Sequence, residues 1–126
     1  MKALLIIDHG SRLKEANDML ISVAETLRRQ KPDWIIEIAH MELASPSIDE
    51  GIAACVRQGA TELTAFPYML SPGRHATQDI PKFLKESCQA YPQLRYRVSE
   101  PFGIHHKLGE IIWERIHEAH STKGNV

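Results

Sequence analysis

Three groups able to hold a divalent cation or accept a proton each follow directly on an apolar run. His9 follows Leu4-Leu5-Ile6-Ile7-Asp8, Glu42 follows a run that includes Ile36, Ile38, Ala39 and Met41, and His75 ends Pro67-Tyr68-Met69-Leu70-Ser71-Pro72-Gly73-Arg74. Two imidazoles and one carboxylate form a borderline ligand set suited to Fe(II), Co(II), Ni(II) or Zn(II), with coordination positions left open. Open positions suit a metal that must be handed on. An imidazole of ordinary pKa, about 6.5, also accepts protons near neutrality.

Two arginines flank these groups: Arg12 lies three residues after His9, and Arg74 lies one before His75. A guanidinium fork pairs with carboxylates better than an ammonium does. Gly10 and Ser11, expected at a helix start, would offer backbone N–H groups to an anion. Pro72 and Gly73 stiffen and shape the loop that carries Arg74 and His75. Singly, each residue has a plainer reading as a solvated or hydrogen-bonded loop group. His40 reads as a packed or surface histidine; His105 and His106 could join the site but read first as capping or surface residues, and His117 and His120, three apart, could chelate a metal but read first as an exposed helix end.

What brings the three groups together is the order of elements. Residues 2–7 are a short apolar run suited to a strand covered on both faces. Ser11 is expected to cap a helix with Ala16, Met19, Leu20, Val23, Ala24 and Leu27 at helical spacing. Residues 34–41 read as a second strand. Ser45-Pro46-Ser47 reads as a helix entry, a cap followed by proline in the first turn, opening a helix striped by Ile48, Ile52 and Val56 and stopped by Gly59. Residues 61–66 form a third strand, and Thr77 or Asp79 caps a helix to about residue 90 with Ile80, Phe83, Leu84 and Cys88 inward. Residues 94–98 suit an edge strand, and Ile104, Leu108, Ile111, Ile112 and Ile116 mark a last helix over about 104–119.

Strands alternating with helices predict a three-layer α/β sandwich on a four-stranded parallel sheet with right-handed crossovers. Ligands of such sheets bind beyond the carboxyl ends of the strands. His9, Glu42 and His75 are therefore expected on one rim.

Composition narrows the class. A chain of 126 residues with 43% hydrophobic and 25% charged residues fits one globular domain, expected over 1–120 with a tail at 121–126. Fifteen basic against sixteen acidic side chains leave no general field for nucleic acid. No run approaches the twenty apolar residues of a membrane span, and the N-terminal run is too short for a signal peptide, so a cytoplasmic protein is expected. Cys55 and Cys88 read as buried free thiols.

Four segments, in order, resemble the class II tetrapyrrole chelatases, in the small single-domain CbiX form of sirohydrochlorin chelatase. They are His9-Gly10-Ser11-Arg12 with Ala16-Asn17; Glu42-Leu43-Ala44-Ser45-Pro46-Ser47-Ile48; Pro67 through Arg74-His75 with Asp79-Ile80-Pro81; and Pro101-Phe102-Gly103-Ile104-His105 with Leu108. The resemblance implies insertion of a divalent metal, Co(II) first and Ni(II) or Fe(II) as alternatives, into sirohydrochlorin, on the route to cobalamin, siroheme or the nickel cofactor of methanogens. It implies that His9 and His75 bind the metal and assist pyrrole deprotonation with Glu42 nearby. Ser11, Arg12 and Arg74 would then meet the substrate's carboxylates. No organic cofactor is implied. Larger members carry two copies of the unit, so a single copy implies a homodimer. Met69 and His106 depart from the family's usual aromatic and proline. Two rival readings use the same residues: a metal or tetrapyrrole carrier without turnover, and a phosphohydrolase with His9 as nucleophile. Asp8 disfavours the second, since an adjacent carboxylate repels phosphate.

Overall fold

The computed structural model describes residues 1–73 and 78–121. Four strands, β1 (Lys2–Asp8), β2 (Ile35–His40), β3 (Glu62–Pro67) and β4 (Arg95–Val98), form one sheet in the order β2-β1-β3-β4. All three pairings are parallel. Four helices follow the strands in turn: α1 (Lys14–Gln30), α2 (Ile48–Arg57), α3 (Ile80–Ser87) and α4 (His106–Ser121). A 3-10 turn, Cys88–Ala90, prolongs α3. The α/β architecture, the parallel sheet and the edge position of β4 agree with the sequence reading. Among the described residues, no helix is long and apolar enough to cross a membrane.

The chain steps from β1 to β2 in one direction and from β2 past β1 to β3 in the other. Right-handed crossovers must then put α1 on one face and α2 and α3 on the other. The cores agree. Leu5, Ile7, Ile52, Cys55, Leu63, Ile80 and Leu84 are fully covered on the α2 and α3 side. Ile6, Leu20, Ala24 and Ile36 are buried on the α1 side. Helix α2 lies so close to the sheet that a Cβ on Gly51 would meet Leu5 Cδ1 at 2.7 Å and the Ile38 carbonyl at 3.1 Å.

Helix starts account for two differences from the expected boundaries. Ser11 does not cap α1: Leu13 holds the N-cap position with no side-chain cap bond, and the Ser11 hydroxyl accepts the Leu13 N–H at 3.0 Å. Helix α2 starts at Ser47 rather than Ser45. The Ser47 hydroxyl accepts the Glu50 N–H at 3.2 Å, and the Glu50 carboxylate accepts the Ser47 N–H at 2.8 Å, a reciprocal capping box. Pro46, after a cis peptide bond, therefore precedes the cap. Gly59, at φ +99°, ends α2 as expected, with the Ala60 N–H bonded to the Cys55 carbonyl and the Gly59 N–H to that of Val56. At α3, Asp79 occupies the N-cap position, and Thr77 lies outside the described residues.

On α1, Leu20, Val23, Ala24 and Leu27 face inward, whereas Ala16 and Met19 are exposed at the end nearest the rim. The larger difference is α4. Its stripe forms at helical spacing, yet no residue of α4 is buried.

Candidate functional site

Sheet register builds the rim. The Met41 N–H bonds the Asp8 carbonyl at 2.9 Å and the Glu42 N–H bonds the His9 carbonyl at 3.2 Å, so the β1–β2 pairing runs on past both strands. His9 and Glu42 are thereby set side by side through their backbones, and both side chains are exposed. Gly10 makes this approach possible. It sits at φ +90°, where side chains are strained, and a Cβ there would fall 1.8 Å from the Glu42 carbonyl oxygen. Leu43, beside Glu42, holds φ +69°, a conformation that favours glycine.

The end of β3 joins the same rim. The Tyr68 N–H donates to the Ile7 carbonyl at 2.7 Å, which starts the 68–73 loop next to β1. The Phe102 and Gly103 N–H groups donate to the Met69 and Leu70 carbonyls at 3.1 and 2.8 Å, drawing in the segment after β4. Phe66, Tyr68 and Phe102 pack edge to face there, with centroids 5.0 to 6.4 Å apart. Met69 is buried in the core, so its departure from an aromatic is met by packing. In this strand order, loops from the carboxyl ends of β1 and β3 leave towards opposite faces, the crevice where open parallel sheets bind ligands.

The sequence-derived residues fall as follows. His9, Ser11, Arg12 and Glu42 all lie on loops leaving the carboxyl ends of β1 and β2. Arg74 and His75 lie outside the described residues. Among the described residues, no three His, Cys, Asp or Glu side chains converge as a metal site. Ser11 corrects one expectation. Its N–H is donated to Asn17 Oδ1 at 2.9 Å, and Asn17 Nδ2 donates back to the Ser11 carbonyl at 2.7 Å. That amide is not offered to an anion; the clamp fixes the turn that presents Arg12. The Ser11 hydroxyl still has its hydrogen to donate.

Two features escaped the sequence reading. His40 is buried, as one of its two readings had it, but its partner was not foreseen: Nδ1 lies 2.5 Å from Asp8 Oδ1. This pair ties the last residues of β1 and β2 together directly beneath His9 and Glu42. The second feature is a set of exposed aliphatic side chains, one on each loop at the carboxyl ends: Leu13, Leu43, Leu70 and Ile104. Their sequence signal was apolar residues placed close to polar groups, after Arg12 and Glu42 and before Arg74 and His105. His105 behaves as a cap, its Nδ1 accepting the Lys107 N–H at 3.2 Å, with its ring stacked on His106. His117 and His120 are exposed on α4. Both histidine pairs thus follow the plainer readings.

The chain's residues 3–119 match the family model described as CbiX. It is 37% identical over 123 residues to the sirohydrochlorin ferrochelatase of Priestia megaterium, covering 98% of this chain and 46% of that protein. It is 32% identical to the sirohydrochlorin cobaltochelatase of Sulfolobus acidocaldarius, covering 98% of this chain and 97% of that one. Among solved structures, the sirohydrochlorin chelatase SirB of Bacillus subtilis subspecies spizizenii, in complex with cobalt, superposes with a TM-score of 0.86 at 32% identity, over 93% of this chain and 50% of SirB. The chain thus spans about half the length of some relatives and nearly all of another. With the match running through all four strands and their rim loops, the chain belongs to the CbiX family.

Proposed function

We propose that this chain is a sirohydrochlorin chelatase that inserts a divalent metal into the tetrapyrrole, with Co(II) as the first candidate and Fe(II) and Ni(II) as alternatives. The observation that carries the reading is the backbone junction of His9 and Glu42 at the crevice where the 68–73 loop begins. That junction gives a proton acceptor and a carboxylate on one rim, ahead of a loop whose next residues are Arg74 and His75. The metal is substrate, not resident cofactor. The relatives' names support both cobalt and iron, and His and Glu ligands discriminate weakly among these ions.

In the proposed mechanism His9 and His75 meet the ion, with Glu42 beside them. Arg12, Arg74 and the Ser11 hydroxyl take the macrocycle's carboxylates, where charge-assisted bonds are strongest. The exposed Leu13, Leu43, Leu70 and Ile104 offer apolar contact to the macrocycle's face and exclude water. The imidazoles then accept the two N–H protons that leave the macrocycle as the divalent ion enters, and pass them to solvent. A cytoplasmic homodimer, with neither nucleic acid nor membrane as partner, completes the reading; its product would serve cobalamin, siroheme or related cofactor synthesis.

The test is anaerobic insertion with catalytic amounts of protein, sirohydrochlorin and each metal, followed by absorbance. Many turnovers above the spontaneous rate are expected. His9→Ala and His75→Ala should each lower kcat/KM by about 10²-fold or more, the usual worth of a positioned acid–base group. A shift that stops at one metal per chain would make the protein a carrier. Near-normal insertion by His75→Ala would remove His75 from the mechanism.

A further inference from the structure

Among the described residues, His40 is the one polar side chain that is fully buried. Burying an imidazole costs free energy unless its polar atoms are bonded, and an apolar side chain of similar size would avoid that cost. Packing alone therefore does not account for a histidine at the end of β2. Its contacts do. Asp8 and His40 stand directly opposite each other in the last pair of the β1–β2 register, with Asp8 Oδ1 2.5 Å from His40 Nδ1. A carboxylate only accepts, so Nδ1 carries the proton of this bond. The His40 N–H donates to the Pro46 carbonyl at 2.8 Å, which closes the loop carrying Glu42 back onto β2. On the other side, a Cβ on Gly10 would lie 3.2 Å from His40 Cβ, so the turn after His9 rests on the same residue. His40 thus meets both rim loops at their root.

We propose that Asp8 and His40 form a positioning pair that sets the spacing of His9 and Glu42 for the incoming metal. Past this pair the loops are joined through the Met41 N–H on the Asp8 carbonyl and the Glu42 N–H on the His9 carbonyl, and the second bond is a long one at 3.2 Å. The chain turns sharply after each group, at Gly10 with φ +90° and at Leu43 with φ +69°. Without the link beneath them the two loops would be free to part, and a misplacement of about 1 Å can cost about 10²-fold in a positioned reaction. Side chains that support metal ligands are worth about 10- to 100-fold in metal affinity or activity. The Asp8 side chain keeps 21% of its surface exposed, so removal of the His40 donor leaves its carboxylate to water rather than stranded. The pair therefore acts on the geometry of the site more than on the stability of the fold. The kinetic side of this role rests on the chelatase reading; its effect on metal affinity needs no turnover.

Two substitutions at one position test it. His40→Leu removes the bond and keeps the space filled, whereas His40→Asn keeps a donor at the place of Nδ1. In anaerobic Co(II) titrations followed by visible absorption, folded His40→Leu should bind about tenfold more weakly or worse, and His40→Asn should recover most of that loss. In insertion assays His40→Leu should lower kcat and raise KM for Co(II), while KM for sirohydrochlorin stays within about twofold. The turn that presents Arg12 is held separately, by the Ser11–Asn17 clamp. Unchanged Co(II) affinity in folded His40→Leu overturns the proposal, and so does a rise of both KM values together, which a general loosening of the rim would give. Equal losses in His40→Leu and His40→Asn overturn the bond as the cause. Should His40→Leu not fold, His40→Phe, which keeps a ring and lacks the donor, takes the same tests. An unaltered chain that binds Co(II) without inserting it would count against the chelatase reading alone, and the titrations still decide the pair. One that binds no Co(II) overturns both.

Discussion

The two faces of the sheet are built to different standards. Among the described residues, fifteen buried ones form one continuous core on the α2 and α3 side; on the α1 side only four are buried, and they stop where an apolar groove begins. The closed face thus carries most of the hydrophobic stabilisation, which scales with apolar area removed from water. The half-open face keeps this apolar groove uncovered. Stability and availability are separated across a sheet one strand thick, and both faces hold the same rim.

Truncation is the strongest way to break this contrast. Leu84 is fully buried on the closed face, so Leu84→Ala should destabilise the chain by about 2–5 kcal/mol through lost transfer energy and the cavity left behind. Val23 is only half buried on the other face. Val23→Ala should cost less, about 1 kcal/mol, because it removes fewer atoms from the core and part of its surface is already in water. Urea unfolding of the two variants compares them directly, and equal costs would mean that the faces are not unequal in the way their burial implies.

The two cysteines sharpen the same contrast through pH. Both lie on the closed face, where burial pushes the Cys55 thiol from 9.0 up to about 12, helped by the Glu37 carboxylate, and the Cys88 thiol up to about 11. Between pH 9 and these values the folded chain holds protons that the unfolded chain has released, so stability falls as pH rises. The contribution is fully present below pH 9. The limiting slope is about 1.4 kcal/mol per pH unit for each thiol. Urea midpoints from pH 8 to 11 should decline, and Cys55→Ala should flatten the decline; an unchanged slope in that variant would place the titration elsewhere.

How much of this was legible depended on whether a contact is local. The strands and their parallel pairing were legible because short apolar runs bounded by turn residues leave little choice in an alternating α/β chain. The rim followed from topology, which is why His9 and Glu42 were rightly placed together. Choosing between Ser45 and Ser47 as the cap was harder, since both flank Pro46 and only Ser47 stands three residues before Glu50. The Asp8–His40 bond joins residues 32 apart, and nothing in either neighbourhood announces the other. For α4, periodicity revealed an apolar stripe but not the surface it meets, because a helix carries the same signal whether its cover is its own sheet or another copy.

The smallest expected effects lie at the helix starts, where the two faces differ again. On the closed face, α2 opens with the Ser47–Glu50 capping box, and the Ser47 N–H and hydroxyl hold the Glu50 carboxyl below its usual value. On the other face, α1 opens at Leu13, which caps nothing and stands exposed on the rim. Ser47→Ala should therefore cost about 1 kcal/mol. Leu13→Ser, whose extended backbone (φ −86°, ψ 121°) already suits a cap, should gain a comparable or smaller amount. If Leu13 is kept apolar for contact with a macrocycle, that gain in urea stability should come with a raised KM for sirohydrochlorin and little change in kcat, since uniform binding would be lost. A Leu13→Ser chain that is both more stable and unchanged in KM would show that the weak cap serves no purpose at the rim.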